Sequence, residues 1–242
     1  MAELVITGHD GSVTFASGYV TNAHQFAIRI GGTIVETTPF APTSDYRTRV
    51  TGALQRWAGS YRCWQTITAV SNVSGPAYCV FPIAYTLNLE CEALDATSFT
   101  DTAVEYVAGL LTANGTYDCY IGDTTALPAA ATVATGVFTV DTGKSWSIPL
   151  IIGDEISVTL AADGSSRIAT IPWQSTGAVT PTGTVPAIAA TGSATFKAAT
   201  AVTDRTYTGT ILITRITFSA RADRTEGEYT IEFVGTGACT PA

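Results

Sequence analysis

The chain has 242 residues, 46% of them hydrophobic and only 13% charged, and its 12 basic residues against 20 acidic ones leave a net charge of −8. That length can bury a sizeable core, the apolar fraction argues against disorder, and no apolar run approaches the roughly 20 residues that cross a bilayer as a helix. Lys and Arg never cluster, so both sign and pattern of charge exclude a general nucleic-acid binder. Forty-two threonines, 22 glycines and 10 tyrosines beside a single methionine favour pleated surfaces, and the chain reads as mainly β. The opening MAELVITGHDGS lacks the basic-then-apolar pattern of a secretory signal.

The first predicted elements belong to an internal repeat. Segment 26–40, FAIRIGGTIVETTPF, aligns without gaps on 85–99, YTLNLECEALDATSF, so that Phe26, Ile28, Ile30 and Val35 fall on Tyr85, Leu87, Leu89 and Leu94. After a short deletion GAL at 52–54 meets GLL at 109–111, and GSYRCW at 59–64 meets GTYDCY at 115–120. Apolar residues at every second position make 26–30 and 85–89 strands with one buried face. Between the halves of the second copy, Thr102 with Glu105 forms a capping box, and Val104, Val107, Leu110 and Leu111 form a helical stripe ended by Asn114-Gly115. One short helix is expected there.

Farther along, 123–136 and 174–192 are Ala/Thr/Gly/Pro-rich and nearly uncharged, as extended linkers are. They enclose GVFTV, SIPLI, EISVTLAA and RIATIPW, expected to form a small inserted β module whose strands need not share the core of the repeat. The expected organisation is a β core over 1–122 with the repeat at 26–64 and 85–120, the inserted module at 123–190, and completing strands over 191–242. In the last part 208–220 and 227–235 read as a hairpin, with Tyr229, Ile231 and Phe233 on one face.

Motifs for chemistry are tested and fail. The two histidines, His9 and His24, have no partner at metal or triad spacing. Gly143-Lys144-Ser145 lacks the upstream glycine of a phosphate loop, that position being Phe138. Asp141-Thr142-Gly143 has the form of an aspartic-protease turn but no second copy, and a hairpin turn is the simpler account. Trp57, Trp64, Trp146 and Trp173 could line a sugar-binding face, or belong to a core. Of five cysteines, an odd number, at least one is unpaired or intermolecular; the simplest reading is five reduced, buried thiols. No catalytic residue, metal site or cofactor is expected.

The block GHDGSVTFASGYVTNAHQFAIRIGGTIVETTPF, followed by DYRTRVTGALQRWAGSYRCW, resembles the opening of tail tube proteins of long-tailed bacteriophages. Glu36, Thr37, Thr38, Phe40, Tyr46, Arg47, Gly52, Leu54, Gly59 and Tyr61 carry the likeness, and Thr97, Phe99, Gly109, Gly115 and Tyr117 are their echoes in the second copy. The closing RTYTGTILITRITFSARADRTEGEYTIEFVGTG is similar to that family's final strands. The resemblance implies a twisted β-sandwich or barrel of tail-tube type with one flanking helix. It implies a virion structural protein, not an enzyme, assembled in the host cytoplasm from six-subunit rings stacked into a conduit for DNA. Its partners would be copies of itself, other phage tail or head proteins and transiently passing DNA, with no membrane and an acidic bore that repels phosphates. A capsid decoration or cement protein and a β-sandwich glycan-binding module are the alternatives.

Overall fold

The computed structural model describes residues 2–6, 12–15, 23–36, 49–66, 81–121, 127–141, 143–160, 167–198, 205–224 and 226–241. Every regular element among them is a strand: β1 Ala2–Ile6, β2 Ser12–Phe15, β3 Ala23–Glu36, β4 Arg49–Thr66, β5 Pro82–Asp95, β6 Tyr106–Ile121 and β7 Val133–Asp141 in the first part of the chain. There follow β8 Lys144–Ile152, β9 Ser157–Leu160, β10 Arg167–Ser175, β11 Thr180–Thr182, β12 Thr191–Ala198, β13 Arg205–Arg221 and β14 Glu226–Pro241. Period-2 sequence makes them: along β8, Trp146, Ile148, Leu150 and Ile152 are buried while Ser147, Pro149 and Ile151 between them are not.

All pairings between the strands are antiparallel, and they join into one sheet that folds back on itself. Its front runs β1-β3-β4-β14-β13-β5-β6-β10. Strands β2 and β12 and strands β7, β8 and β11 cover the inner side of that front, and the aromatic residues packed between the layers form one core. This is a β-sandwich-like arrangement.

The repeat is exact in register. Phe26 pairs Tyr61 and Ile28 pairs Gly59 across β3 and β4, as Tyr85 pairs Tyr117 and Leu87 pairs Gly115 across β5 and β6. Even the irregularities recur: the register slips between Ala23 and Gln25 in one copy and between Pro82 and Ala84 in the other, at corresponding places.

The duplication also reaches the second half of the chain. Phe138 of β7 pairs Trp146 of β8 as Phe196 of β12 pairs Tyr207 of β13. Val158 of β9 pairs Ala169 of β10 as Phe218 of β13 pairs Tyr229 of β14. Finally, Ile171 and Trp173 of β10 sit beside Tyr117 and Gly115 as Ile231 and Phe233 of β14 sit beside Tyr61 and Gly59. Two equivalent units result. One is continuous, β5 through β10; the other is split around it, β3 and β4 before and β12 to β14 after. At their junction β13 pairs β5.

Two expectations are therefore corrected. Residues 123–190 are not a module apart: β7 to β10 complete the second unit, β10 is hydrogen-bonded along β6, and Phe138 and Trp173 share the core with Tyr85 and Tyr117. The boundary at 123 divides that unit in two. The short helix is also absent from its place. Residues 96–105 form a loop and Tyr106–Ile121 is strand β6, because Val107 and Leu111 pair Leu94 and Cys91 of β5. Of the helical stripe only Val104 is buried, and local propensity yields to strand pairing.

Candidate functional site

Each unit is centred on a box of aromatic rings. In the first, Phe196 lies 5.5 Å from Phe26, 6.3 Å from Tyr61 and 5.0 Å, stacked, from Phe233. In the second, Phe138 lies 5.2 Å from Tyr85, 5.0 Å from Tyr117 and 4.7 Å from Trp173. Gly59 and Gly115 make room for them. A Cβ on Gly59 would meet the Phe233 ring at 2.7 Å, and one on Gly115 would meet the Trp173 ring at 2.7 Å, each also colliding with the carbonyl of the strand alongside. These glycines and Tyr61 and Tyr117, singled out in the sequence, thus belong to packing. Burial raises the Tyr61 and Tyr85 hydroxyl pKa values well above the ordinary range, and the Tyr85 hydroxyl donates to the Thr139 carbonyl at 2.6 Å.

The other motif residues divide between backbone roles and an exposed arm. Glu36 pairs Arg49, and Gly52 and half-buried Leu54 lie in β4; Thr38 and Phe40 fall outside the described residues. The ends of β5 and β6 with the loop between them extend as an arm. Thr97 Oγ1 accepts the Glu105 N–H at 3.0 Å and the Thr97 N–H donates to Asp95 Oδ1 at 3.0 Å, which holds the loop in shape. The loop is tied to β4, since Gln55 N–H donates to the Thr102 carbonyl and Val104 N–H to the Gln55 carbonyl. Beyond that clasp the arm presents Leu94, Phe99, Val107, Leu110 and Leu111 to solvent, Phe99 entirely so. Gly109 lies inside it, where a Cβ would touch Glu92 and Leu94 at 3.1 Å.

The solvent face of the front sheet is polar. Thr86 meets Thr116 at 3.0 Å, Asn88 donates to Asn114 at 3.3 Å and Thr170 to Asp118 at 2.7 Å. Arg29, Arg56, Arg215, Arg221 and Arg224 line grooves across it beside Glu90, Glu92, Asp223, Glu228 and Glu232, with Asp118 close enough to Arg221 to act on it. Arg215 bridges Glu90 at 3.2 Å and Glu232 at 3.4 Å, and Arg62 reaches Glu228 at 3.4 Å. Among these groove residues the basic and acidic side chains balance.

Among the described residues no three His, Cys, Asp or Glu side chains gather as metal ligands. His24 stacks on Trp64 with centroids 4.2 Å apart, and His9 falls outside the described residues. Asp141 pairs Lys144 across the β7–β8 turn, where Gly143 has φ +75°, as a hairpin requires. Trp57, Trp146 and Trp173 are buried, and the Trp57 and Trp146 indoles donate to the Gly237 and Pro186 carbonyls. Of the four tryptophans only Trp64 is exposed, above a groove of about 640 Å³ with Arg221, Asp223 and Glu228, so the tryptophans do not share one exposed face. Cysteines 63, 91 and 239 are free and buried, but Cys119 is disulfide-bonded to a partner outside the described residues, which corrects the reading of five reduced thiols.

Sequence reading found the strand EISVTLAA that holds β9 but missed the second-half repeat to which it belongs. The signal is present at an offset of 60: ISVTLAADG at 156–164 lies on ITFSARADR at 216–224, and ATIPW at 169–173 on YTIEF at 229–233. Neither a protein-family model, a curated protein nor a solved structure matches the chain.

Proposed function

We propose that this chain is a self-assembling structural protein of the virion, a tail tube subunit whose rings stack into a conduit for DNA. The observation that carries the reading is the junction inside the chain: two equivalent units already joined edge to edge by β13 and β5, a joint that can be repeated between chains. With two equivalent units in each chain, we propose a ring of six units made by three chains, in place of the six chains that the resemblance implies.

Two surfaces support the assignment. The arm exposes Leu94, Phe99, Val107, Leu110 and Leu111, apolar surface that suits contact between stacked rings. The front sheet offers a polar face of Thr, Asn and ion-paired Arg. Arginines already answered by carboxylates release few counterions from DNA, so such a lining lets phosphates slide without gripping them. The bore works by neutrality in this reading, not by repulsion.

The test is native mass spectrometry with negative-stain imaging over a concentration series. The expected species is a ring of three 25.2-kDa chains, about 76 kDa, that stacks into tubes at high concentration. Rings that never stack would favour a head decoration protein, and a monomer at all concentrations would refute the reading.

A further inference from the structure

We propose that chains join head to tail by strand exchange: β9 of one copy pairs with β3 of the next, in the slot that β1 fills in the isolated chain. The inference rests on the reading of the chain as a self-assembling subunit and names the joint.

The two units each contribute four successive front strands, β3-β4-β14-β13 and β5-β6-β10-β9. Inside the chain the last strand of the first unit pairs the first strand of the second: Phe218 opposes Leu87, Ser219 opposes Thr86 and Ala220 opposes Tyr85. The last strand of the second unit, β9, pairs β10 on one side and, among the described residues, no strand on the other. The contrast in exposure follows. Phe218 and Ala220 are each 3% exposed, whereas their counterparts Val158 and Leu160 are 43% and 71% exposed. Strand β9 therefore carries the apolar alternation of a joint strand, with Ser157 and Thr159 on the polar side, and among the described residues has no strand to cover it.

At the opposite end of the front, β3 is the counterpart of β5, and its edge is taken by β1. The register is the one a joint strand uses: Leu4 opposes Ile28, Val5 opposes Ala27 and Ile6 opposes Phe26, as Phe218, Ser219 and Ala220 oppose Leu87, Thr86 and Tyr85. Five residues with a single strand neighbour thus occupy, in the same direction and register, the place that a second copy's β9 fits. Carrying the internal joint across sets Val158 against Ile28, Thr159 against Ala27 and Leu160 against Phe26 of the next copy. The exchange covers the exposed Val158 and Leu160, and the same two edges remain at the ends of any open chain of copies, so addition continues until a ring closes.

Cross-linking in the full-length protein tests this. Opposed residues of an antiparallel pair have Cα atoms about 4.5–5.5 Å apart, within disulfide reach, and the Thr159–Ala27 pair lies on the polar face away from the buried native thiols. Under mild oxidation the T159C/A27C double variant should give a ladder of covalent multimers on a non-reducing denaturing gel, with neither single variant doing so. A second variant, Leu4→Pro, weakens β1 by removing a ladder donor and should lower the concentration needed for assembly several-fold. Assembly without a ladder overturns the joint and leaves self-assembly standing, while absence of assembly at every concentration overturns both. Loss of assembly in Leu4→Pro, with the wild type assembling, overturns the exchange.

Discussion

Replacing Phe138 with alanine removes the ring at the centre of the second aromatic box. The side chain is fully buried, with Tyr85, Tyr117 and Trp173 between 4.7 and 5.2 Å away. Truncating such a ring costs about 3–5 kcal/mol, the lost transfer energy plus the cavity that rigid neighbours leave behind. Against a total stability of roughly 5–15 kcal/mol that is a large fraction, and at about 2–4 °C per kcal/mol for a chain of this size the melting point should fall by roughly 6–20 °C. Urea unfolding followed by tryptophan fluorescence reads the loss directly, since Trp173 touches the altered site. Phe196→Ala at the equivalent place should cost a similar amount. The decisive feature is cooperativity. Both boxes belong to one core and β13 is hydrogen-bonded to both units, so each variant should unfold in one transition shifted as a whole. A loss below about 1 kcal/mol, or two transitions of which only one moves, would refute the single-core argument and restore 123–190 as a separable module.

Gly115→Ala should destabilise the protein by about 1–3 kcal/mol through collision with Trp173 and the Thr86 carbonyl, measured by the same titration, and Gly59→Ala should do likewise against Phe233. Thiol titration in denaturant without reductant should give three thiols per chain, rising to five after reduction, because one disulfide removes two of the five cysteines. Burial pushes the Cys63 thiol from its ordinary value near 9 up to about 11, so the folded state holds that proton more tightly than the unfolded chain. The contribution is complete below pH 9 and is lost as pH rises through 11, so stability should decline across that window and Cys63→Ala should flatten the decline.

By itself the sequence determined the faces of the strands and the class of the fold. Alternation at Phe26, Ile28 and Ile30 and again at Tyr85, Leu87 and Leu89 decides which side each strand buries, because successive side chains point to opposite sides whatever the partner. The 59-residue repeat was equally legible, and so was the turn that brings Asp141 opposite Lys144, since glycine at a positive φ is a local matter. Partner choice was not. Whether Val107, Leu110 and Leu111 form a helix or a strand depends on β5 lying alongside, and only the pairing of Leu94 with Val107 decides it. That Phe138 and Phe196 are equivalent is hidden because the side chains around them changed, Trp173 for Phe233 and Trp146 for Tyr207, while backbone register, which side-chain identity barely records, was kept. The pairing of charges on the front face is likewise a tertiary fact. Arg215 meets Glu90 and Glu232 from two other strands, distant in the chain, and a net charge of −8 says nothing about where opposite charges will stand together.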